Sequence, residues 1–395
     1  MSKFNEGTGV EKGEASAAVL SAALSESDGH AGYVGMDVHK DTIAVAVAWP
    51  GRGEAQYLGE IANTPKAVAK LVRRLSPHGE VFLFAYEAGP CGYVLHRQLC
   101  ELGQECEVVA APRSDAVKTD RRDALKLARK LRAGELRAVW VPDQEQESMR
   151  DLSRCRSDFK AQQLKARQQL SAFVLRHGHH WPRDKSRWTL AHWQWLEGLD
   201  FAHRWQHQVL HEYLEAVRAA SERVRDIEAR MLGEALPCWS LAPVVDSLVA
   251  LRGVDKVAAV TLLAELGDIS RFDSPRQLMG YLGLVPRVHD SGQRRGRRGA
   301  ITRAGNTHAR RILVESAWSY RFAARQTAHL MRKAAQASPE AKAIAWRAQK
   351  RLCGRYRKLL EAGKNVKLTC VAIARELIGF VWDIVRQEIG KVRCA

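Results

Sequence analysis

Four carboxylates sit where they could share work. Asp37 lies in "GYVGMDVHK", Glu87 closes "EVFLFAYE", and Asp120 and Asp123 open "TDRRDALKLARKL". Carboxylates brought to one place repel one another, and unpaired, some would stay protonated. Two Mg²⁺ ions remove that repulsion and leave open positions for phosphate oxygens. Such a centre activates an attacking oxygen and stabilises a leaving one, so the chemistry to expect is metal-dependent phosphoryl transfer. Each acid also has a plainer use. Asp37 suits a turn, Glu87 a strand-end ion pair, and Asp120 with Asp123 an N-cap and N3 pair.

A second stretch, "RVHDSGQRRGRRGAITRAGN" (287–306), holds polyanion chemistry. Between Arg287 and Arg311 stand Arg287, Arg294, Arg295, Arg297, Arg298, Arg303, Arg310 and Arg311, against one acid, Asp290. Guanidinium forks match phosphate oxygens, and all eight are candidate nucleic-acid contacts. Ser291 sits among them. Its hydroxyl is either a nucleophile or, with Gly292, part of a polar turn in a basic loop; composition alone favours the turn. His289 and Asp290 are the only obvious bases beside it in sequence.

The elements that would position these groups can be read from periodicity. Residues 32–48 give two strands around a tight turn at His39–Asp41, and a weaker strand falls near 54–61. Thr64-Pro65 opens a helix whose Val68, Leu71, Val72 and Leu75 form one apolar face. A buried strand ends at Glu87, a helix covers 93–103, another strand 106–112, and a helix 119–134 stops at Gly134. The order is βββαβαβα. In that topology the first and fourth strands are neighbours and the last helix packs beside them, which would gather acids from distant positions.

Beyond 144 the pattern is helical. Leu210, Tyr213, Val217, Ala220, Val224, Ile227 and Met231 keep heptad spacing, so 144–236 reads as a helical hairpin or coiled-coil arm offering a route to oligomerisation. Trp181, Trp188, Trp193, Trp195 and Trp205 suit packing first and base stacking second. "LVALRGVDKVAAVTLLAEL" (248–266) is like a helix-hairpin-helix, although Asp255 stands where a second phosphate-facing glycine is usual. The expected division is a flexible acidic tail at 1–31, an α/β domain at 32–143, the arm at 144–236, a domain at 237–325 bearing Ser291, and helices at 326–395.

Composition narrows the partner. The 395 residues are 46% hydrophobic, enough for a sizeable core, and carry 62 Lys+Arg against 44 Asp+Glu, a formal charge of +18. Nucleic acid is the partner such a field selects first. An anionic membrane surface is the competing partner, but no apolar run is long enough to span a bilayer, and no membrane is expected among the partners. The eight cysteines have no CxxC and no Cys/His ligand spacing, which reads as reduced thiols in a cytoplasmic protein. A non-catalytic nucleic-acid-binding protein and an actin-like ATPase are competing classes. The second lacks a further phosphate loop.

The segments "YVGMDVHKD", "YEAGPCGY", "KTDRRDALKLA" and the long run from "LVALRGVDK" to "RRILVESAW" resemble, in order from about Tyr33 to Trp318, the insertion-sequence 110 and 1111 family of DEDD transposases. The resemblance implies an RNase H-like, RuvC-like nuclease domain followed by mostly α-helical coiled-coil and transposase domains. It makes Asp37, Glu87, Asp120 and Asp123 the metal ligands and Ser291 the nucleophile, while Thr302, Asn306 and Ser316 gain no such support. It further implies donor and target DNA as substrates, a structured guide RNA encoded by the element, and a homo-oligomer, dimer or tetramer. A hydrolytic junction resolvase with the same four acids is the alternative enzyme.

Overall fold

The computed structural model describes residues 29–110, 119–288 and 298–394. The chain divides into two compact units between Val141 and Pro142. The acidic tail expected at 1–31 lies almost wholly outside the described residues.

The first unit is a five-stranded mixed sheet with helices on both faces. Its elements are β1 (Gly32–Val38), β2 (Thr42–Ala48), β3 (Gln56–Ala62), α1 (Pro65–Leu75), β4 (Phe82–Glu87), α2 (Val94–Glu101), β5 (Glu105–Val109) and α3 (Asp120–Arg132). The strand order is β3-β2-β1-β4-β5. Strands β1 to β3 run antiparallel through short turns, while β4 and β5 join parallel to their neighbours after helical crossovers. The βββαβαβα order and the β1–β4 adjacency expected from sequence are both present.

The two sheet faces differ in the size of their side chains. On one, Val34, Met36, Ile43, Val45, Phe82, Phe84 and Tyr86 pack under α1 and α2. On the other, Ala44, Ala46, Ala48 and Ala85 meet Ala124, Leu127 and Ala128 of α3. Small residues let that helix descend onto β1. A Cβ built on Gly35 would lie 2.3 Å from the Ala128 nitrogen and 2.4 Å from the Ala124 oxygen. Only glycine fits there, and this contact sets the height of α3 over the strand that carries Asp37.

The second unit is helical except for one hairpin. Helices α4 (Gln144–Arg176), α5 (Leu190–Glu197) and α6 (Arg204–Arg230) form the arm. Arg156 reaches Glu228 while Gln163 reaches Ser221, so α4 and α6 run antiparallel. The heptad stripe is used within the chain. Leu210, Leu214 and Val217 are buried with Ala166, Leu170, Phe173 and Val174 of α4, and Val224 and Met231 are also buried. Four of the tryptophans pack partly around the end of this hairpin, whereas Trp205 is 65% exposed.

The rest of the unit comprises α7 (Ala242–Leu248), α8 (Lys256–Leu266), α9 (Pro275–Tyr281), β6 (Pro286–Val288), β7 (Arg298–Ile301), α10 (Thr307–Ala317), α11 (Ala328–Lys333), α12 (Pro339–Glu361) and α13 (Val366–Cys394). One core joins residues from Met231 to Ile389, so helices on both sides of residue 325 share it. Among the described residues no helix is long and apolar enough to cross a membrane, and Cys91, Cys100, Cys106, Cys155, Cys238, Cys353 and Cys370 are free thiols.

Candidate active site

The carboxylate cluster grows from strand alternation. Val34 and Met36 point into one core, so Asp37 points with Gly35 to the α3 face of the sheet. The parallel pairing of β1 with β4 ends at Met36 opposite Tyr86. Asp37 and Glu87 are the next residue on each strand, both half-buried, side by side at the carboxyl ends of adjacent strands.

Helix α3 brings the other two. Its N-cap is Thr119, whose hydroxyl accepts from the Arg122 nitrogen at 3.3 Å. Because Thr119 caps the helix, Asp120 is free of the N-cap role that its sequence position allowed. The Asp120 side chain stays 55% exposed. Asp123 stands one turn further on, half-buried, with its backbone nitrogen bonded to the Thr119 oxygen at 2.9 Å.

His39 completes the group, although its sequence position marks it only as a turn residue. Its Nε2 lies 3.5 Å from Asp37 Oδ2 and 3.5 Å from Asp120 Oδ1. The turn holding it is fixed at both ends of the residue: the His39 nitrogen donates to Thr42 oxygen at 2.9 Å, and Asn63 Nδ2 donates to the His39 oxygen at 2.8 Å. Among the described residues, Asp37, His39 and Asp120 are the group whose ligand atoms all lie within 4.8 Å of one another. Glu87 and Asp123 flank the group without joining it. The sequence signal for His39 was its place two residues after Asp37, on the inner side of a tight turn.

At 3.5 Å, with the His39 and Asp120 side chains 51% and 55% exposed, these contacts are weak. The donor set fits a divalent cation. Carboxylate oxygens are hard ligands suited to Mg²⁺, and the half-exposed setting leaves room for phosphate oxygens.

The arginine-rich hairpin belongs to the second unit. Ser291, Gly292, His289, Asp290, Arg294, Arg295 and Arg297 lie outside the described residues, as does the side chain of Arg298. The base of the hairpin is closely built. A Cβ on Gly305 would lie 1.8 Å from the Tyr281 oxygen, and one on Gly283 would lie 2.4 Å from Ala304 backbone atoms. Arg310 clamps this junction, donating to the Leu282 oxygen at 2.9 Å and to the Ala304 oxygen at 2.8 Å. Burial first, then the charge of Arg303, draws its pKa down. Its fork is thus committed to the scaffold. Arg287 makes one long bond, 3.4 Å, to the Thr302 oxygen. Arg311 is paired with Glu315 at 3.7 Å, and Arg303 is exposed in a left-handed conformation with φ 59°.

A buried polar network anchors the same junction to the arm. Arg154 holds Glu265 through two bonds of 2.8 and 3.0 Å, and Asn306 Nδ2 donates to Glu265 Oε2 at 2.6 Å. Burial by itself would raise the Glu265 carboxyl; the bonds from Arg154 and Asn306 and the nearby guanidinium charges outweigh it and hold the group below its ordinary value. Asn306 meanwhile caps α10, accepting from the Ala309 nitrogen at 2.9 Å.

The segment resembling a helix-hairpin-helix serves packing. Gly253 has φ +83°, and a Cβ there would lie 2.4 Å from the Ser316 oxygen. Asp255 caps α8, accepting from the Ala258 nitrogen at 2.7 Å, and Lys333 donates to the Leu251 and Val254 oxygens at 3.1 and 2.7 Å. The Asp255 carboxylate thus occupies the Ala258 amide, one of the donors at the start of α8 that could otherwise meet a phosphodiester.

Comparison with known proteins gives a consistent result. Residues 246–332 match the transposase IS116/IS110/IS902 family, and residues 34–178 match a DEDD transposase domain of the IS110 type. The chain is 44% identical over 381 residues to a putative transposase of Sinorhizobium fredii, covering 95% of this chain and 94% of that protein. It is 31% identical over 299 residues to the transposase for insertion sequence element IS1533 of Leptospira borgpetersenii, covering 73% and 85%. A probable family 20 transposase of Pseudomonas aeruginosa is 25% identical over 245 residues, covering 60% and 70%.

Proposed function

The chain belongs to the IS110/IS116 family of insertion-sequence transposases, and from that premise we propose that it is a DNA recombinase that cuts and rejoins strands through a phosphoserine on Ser291. The observation that carries the reading is the convergence of Asp37, His39 and Asp120, with Glu87 and Asp123 flanking, at the carboxyl ends of adjacent strands. We read the first unit as an RNase H-like, RuvC-like domain on its strand order and this acid placement.

Asp37, Glu87, Asp120 and Asp123 would hold two Mg²⁺ ions. When bound, such ions neutralise the carboxylates and withdraw charge from the scissile phosphate. The rest is done by the chain. The Oγ of Ser291 attacks phosphorus, the bond from phosphorus to the 3′ oxygen breaks, and the serine proton ends on the departing 3′ hydroxyl. The 5′ phosphate is retained as a serine ester, so a new 3′ hydroxyl reverses the step and joins strands without ATP. Arg294, Arg295, Arg297 and Arg298 neutralise the transferring phosphate and its neighbours. Arg287, Arg303 and Arg311 contact the flanking backbone, whereas Arg310 supports the hairpin from below.

Donor and target DNA are the substrates of this reading, with a structured guide RNA supplying sequence choice by pairing, as other RNA-guided systems do. Two duplexes require several active sites, so the working form is a dimer or tetramer acting in the cytoplasm. Since α4 occupies the heptad face of α6, subunits meet through other surfaces.

The test is to incubate protein, RNA and DNA with Mg²⁺, denature in detergent, and look for a protein–DNA adduct. Adduct lost in both Ser291→Ala and Asp37→Ala is the expected result. Cleavage without any adduct identifies a hydrolytic nuclease, and an adduct that persists in Ser291→Ala removes the serine from this role.

A further inference from the structure

The end of the α4–α6 hairpin encloses a cavity of about 640 Å³, within the range of about 300–1,000 Å³ that small-ligand sites occupy. Trp181, Trp188 and Trp195 line it, each half-buried, and the exposed side chains of His180, Arg183 and Arg187 stand at its edge. No carboxylate lines it among the described residues. Closing the hairpin does not account for this arrangement. Leu170, Phe173, Leu196 and Leu214 already bury that end of the arm, yet three indoles stop half-covered around an opening. Leu190 and Leu175, the latter on the cavity wall, remain 75% and 59% exposed.

Three further features single out the cavity. Trp188 has φ +65°, an uphill conformation for a non-glycine residue, stabilised by its nitrogen donating to His192 Nδ1 at 3.1 Å. Trp181 Nε1 and Arg167 Nε are shielded from solvent with no acceptor, and such orphaned donors are rare in a finished core. Cations also gather over the rings: Arg167 lies 4.7 Å from the Trp188 centroid and Lys185 5.7 Å from that of Trp181.

We propose that this cavity binds an unpaired nucleotide, its base against the indoles and its phosphate on Arg183 and Arg187. Flat apolar walls select a planar ring, and a rim of cations without acids selects an attached anion. A base inside a perfect duplex has both faces covered by its neighbours and cannot enter, so the nucleotide comes from a bulge, loop or single strand. RNA and single-stranded DNA share this chemistry. The site uses neither the carboxylate cluster nor Ser291, so it stands whatever the outcome of the adduct experiment.

The test uses the full chain in EDTA, where no strand is cut, and fluorescence anisotropy at fixed salt. The probes are blunt-ended two-strand duplexes with and without one bulged nucleotide, made as RNA and as DNA. The bulged form should bind about tenfold more tightly, the scale of one base–indole stack, with the responding sugar identifying the source. Trp181→Ala should erase the preference and Trp181→Phe keep most of it. The double variant Arg183→Ser/Arg187→Ser changes only exposed side chains and should lower the log–log salt slope for the bulged probe by roughly one unit. It decides the matter if Trp181→Ala does not fold. Equal affinity for bulged and perfect duplexes in both chemistries overturns the proposal, as does a preference and salt slope unchanged by the arginine substitutions.

Discussion

Helices α3 and α8 begin with almost the same chemistry and put it to opposite uses. Each has an aspartate at its first turn. In α8, Asp255 is the N-cap, and its carboxylate is closed onto the Ala258 nitrogen at 2.7 Å. In α3, Thr119 takes that position, and Asp120, one residue later, projects its carboxylate to His39 and Asp37. Capping satisfies amides that otherwise have no partner, and whichever side chain does it is no longer available. A threonine placed one residue earlier is the difference between a structural acid and a candidate ligand. The glycines beneath the two helices repeat the contrast. Gly35 lets α3 down onto the strand of Asp37, while Gly253 presses the α8 turn against Ser316.

Exchanging charge for amide at both helix starts separates the two uses most strongly. Asp120→Asn should lower Mg²⁺-dependent DNA cleavage by about a thousandfold or more, the scale of losing a preorganised electrostatic group. Asp255→Asn should leave cleavage unchanged, because asparagine also caps. Equal losses in the two variants would end the distinction. Next in size are the glycines. Gly35→Ala forces α3 away from β1 at an overpacking cost of about 1–3 kcal/mol, and cleavage per folded molecule should fall along with melting temperature. Gly253→Ala should lower the melting temperature while sparing that cleavage.

Smaller still is removal of the caps themselves. Asp255→Ala and Thr119→Ala should each cost about 1 kcal/mol in denaturant unfolding, but only Thr119→Ala should also slow cleavage, by fraying the turn that presents Asp120. The smallest effect is at a third helix start, α5, where Thr189 caps and His192 Nδ1 accepts from the Trp188 nitrogen. Burial foremost, then the charge of Arg187, lowers the His192 pKa below its ordinary 6.5. A base with a depressed folded pKa binds its proton more readily when unfolded, so its stabilisation is full above about 6.5 and is lost as pH falls through the lowered value. Tryptophan fluorescence followed from pH 7 to 5 should report loosening of the arm end, and His192→Asn should flatten that response.

Much of the first unit was legible because its signals are local. Alternation in "GMDVH" and "FLFAYE", the Thr64-Pro65 helix start and the stop at Gly134 fix elements residue by residue, and the strand order then places Asp37 beside Glu87. What escaped reading depends on contacts between distant positions. His39 reads as a turn residue until the turn folds it back between two acids. Arg310 reads as one more phosphate contact until the Leu282 and Ala304 oxygens surround it. The heptad of α6 carries the pattern of an assembly face, and nothing in that pattern says that α4, some forty residues earlier, will cover it. Asp255 is legible in sequence as a departure from a phosphate-binding turn, but its use as a cap depends on the fold.

The bonds that Gln146, Arg150 and Arg154 make to α8 all fall in the first third of α4. Ahead of them the helix runs on to Arg176, and its whole length is about 50 Å at 1.5 Å per residue. From Arg154 the helix reaches about 33 Å further, so a tilt of about 1° at the root moves the far end by roughly 0.6 Å. Glu265 sits at the pivot, with Asn306 and the start of α10 on its other side. The root of the arm and the foundation of the arginine-rich hairpin therefore share one carboxylate, that of Glu265.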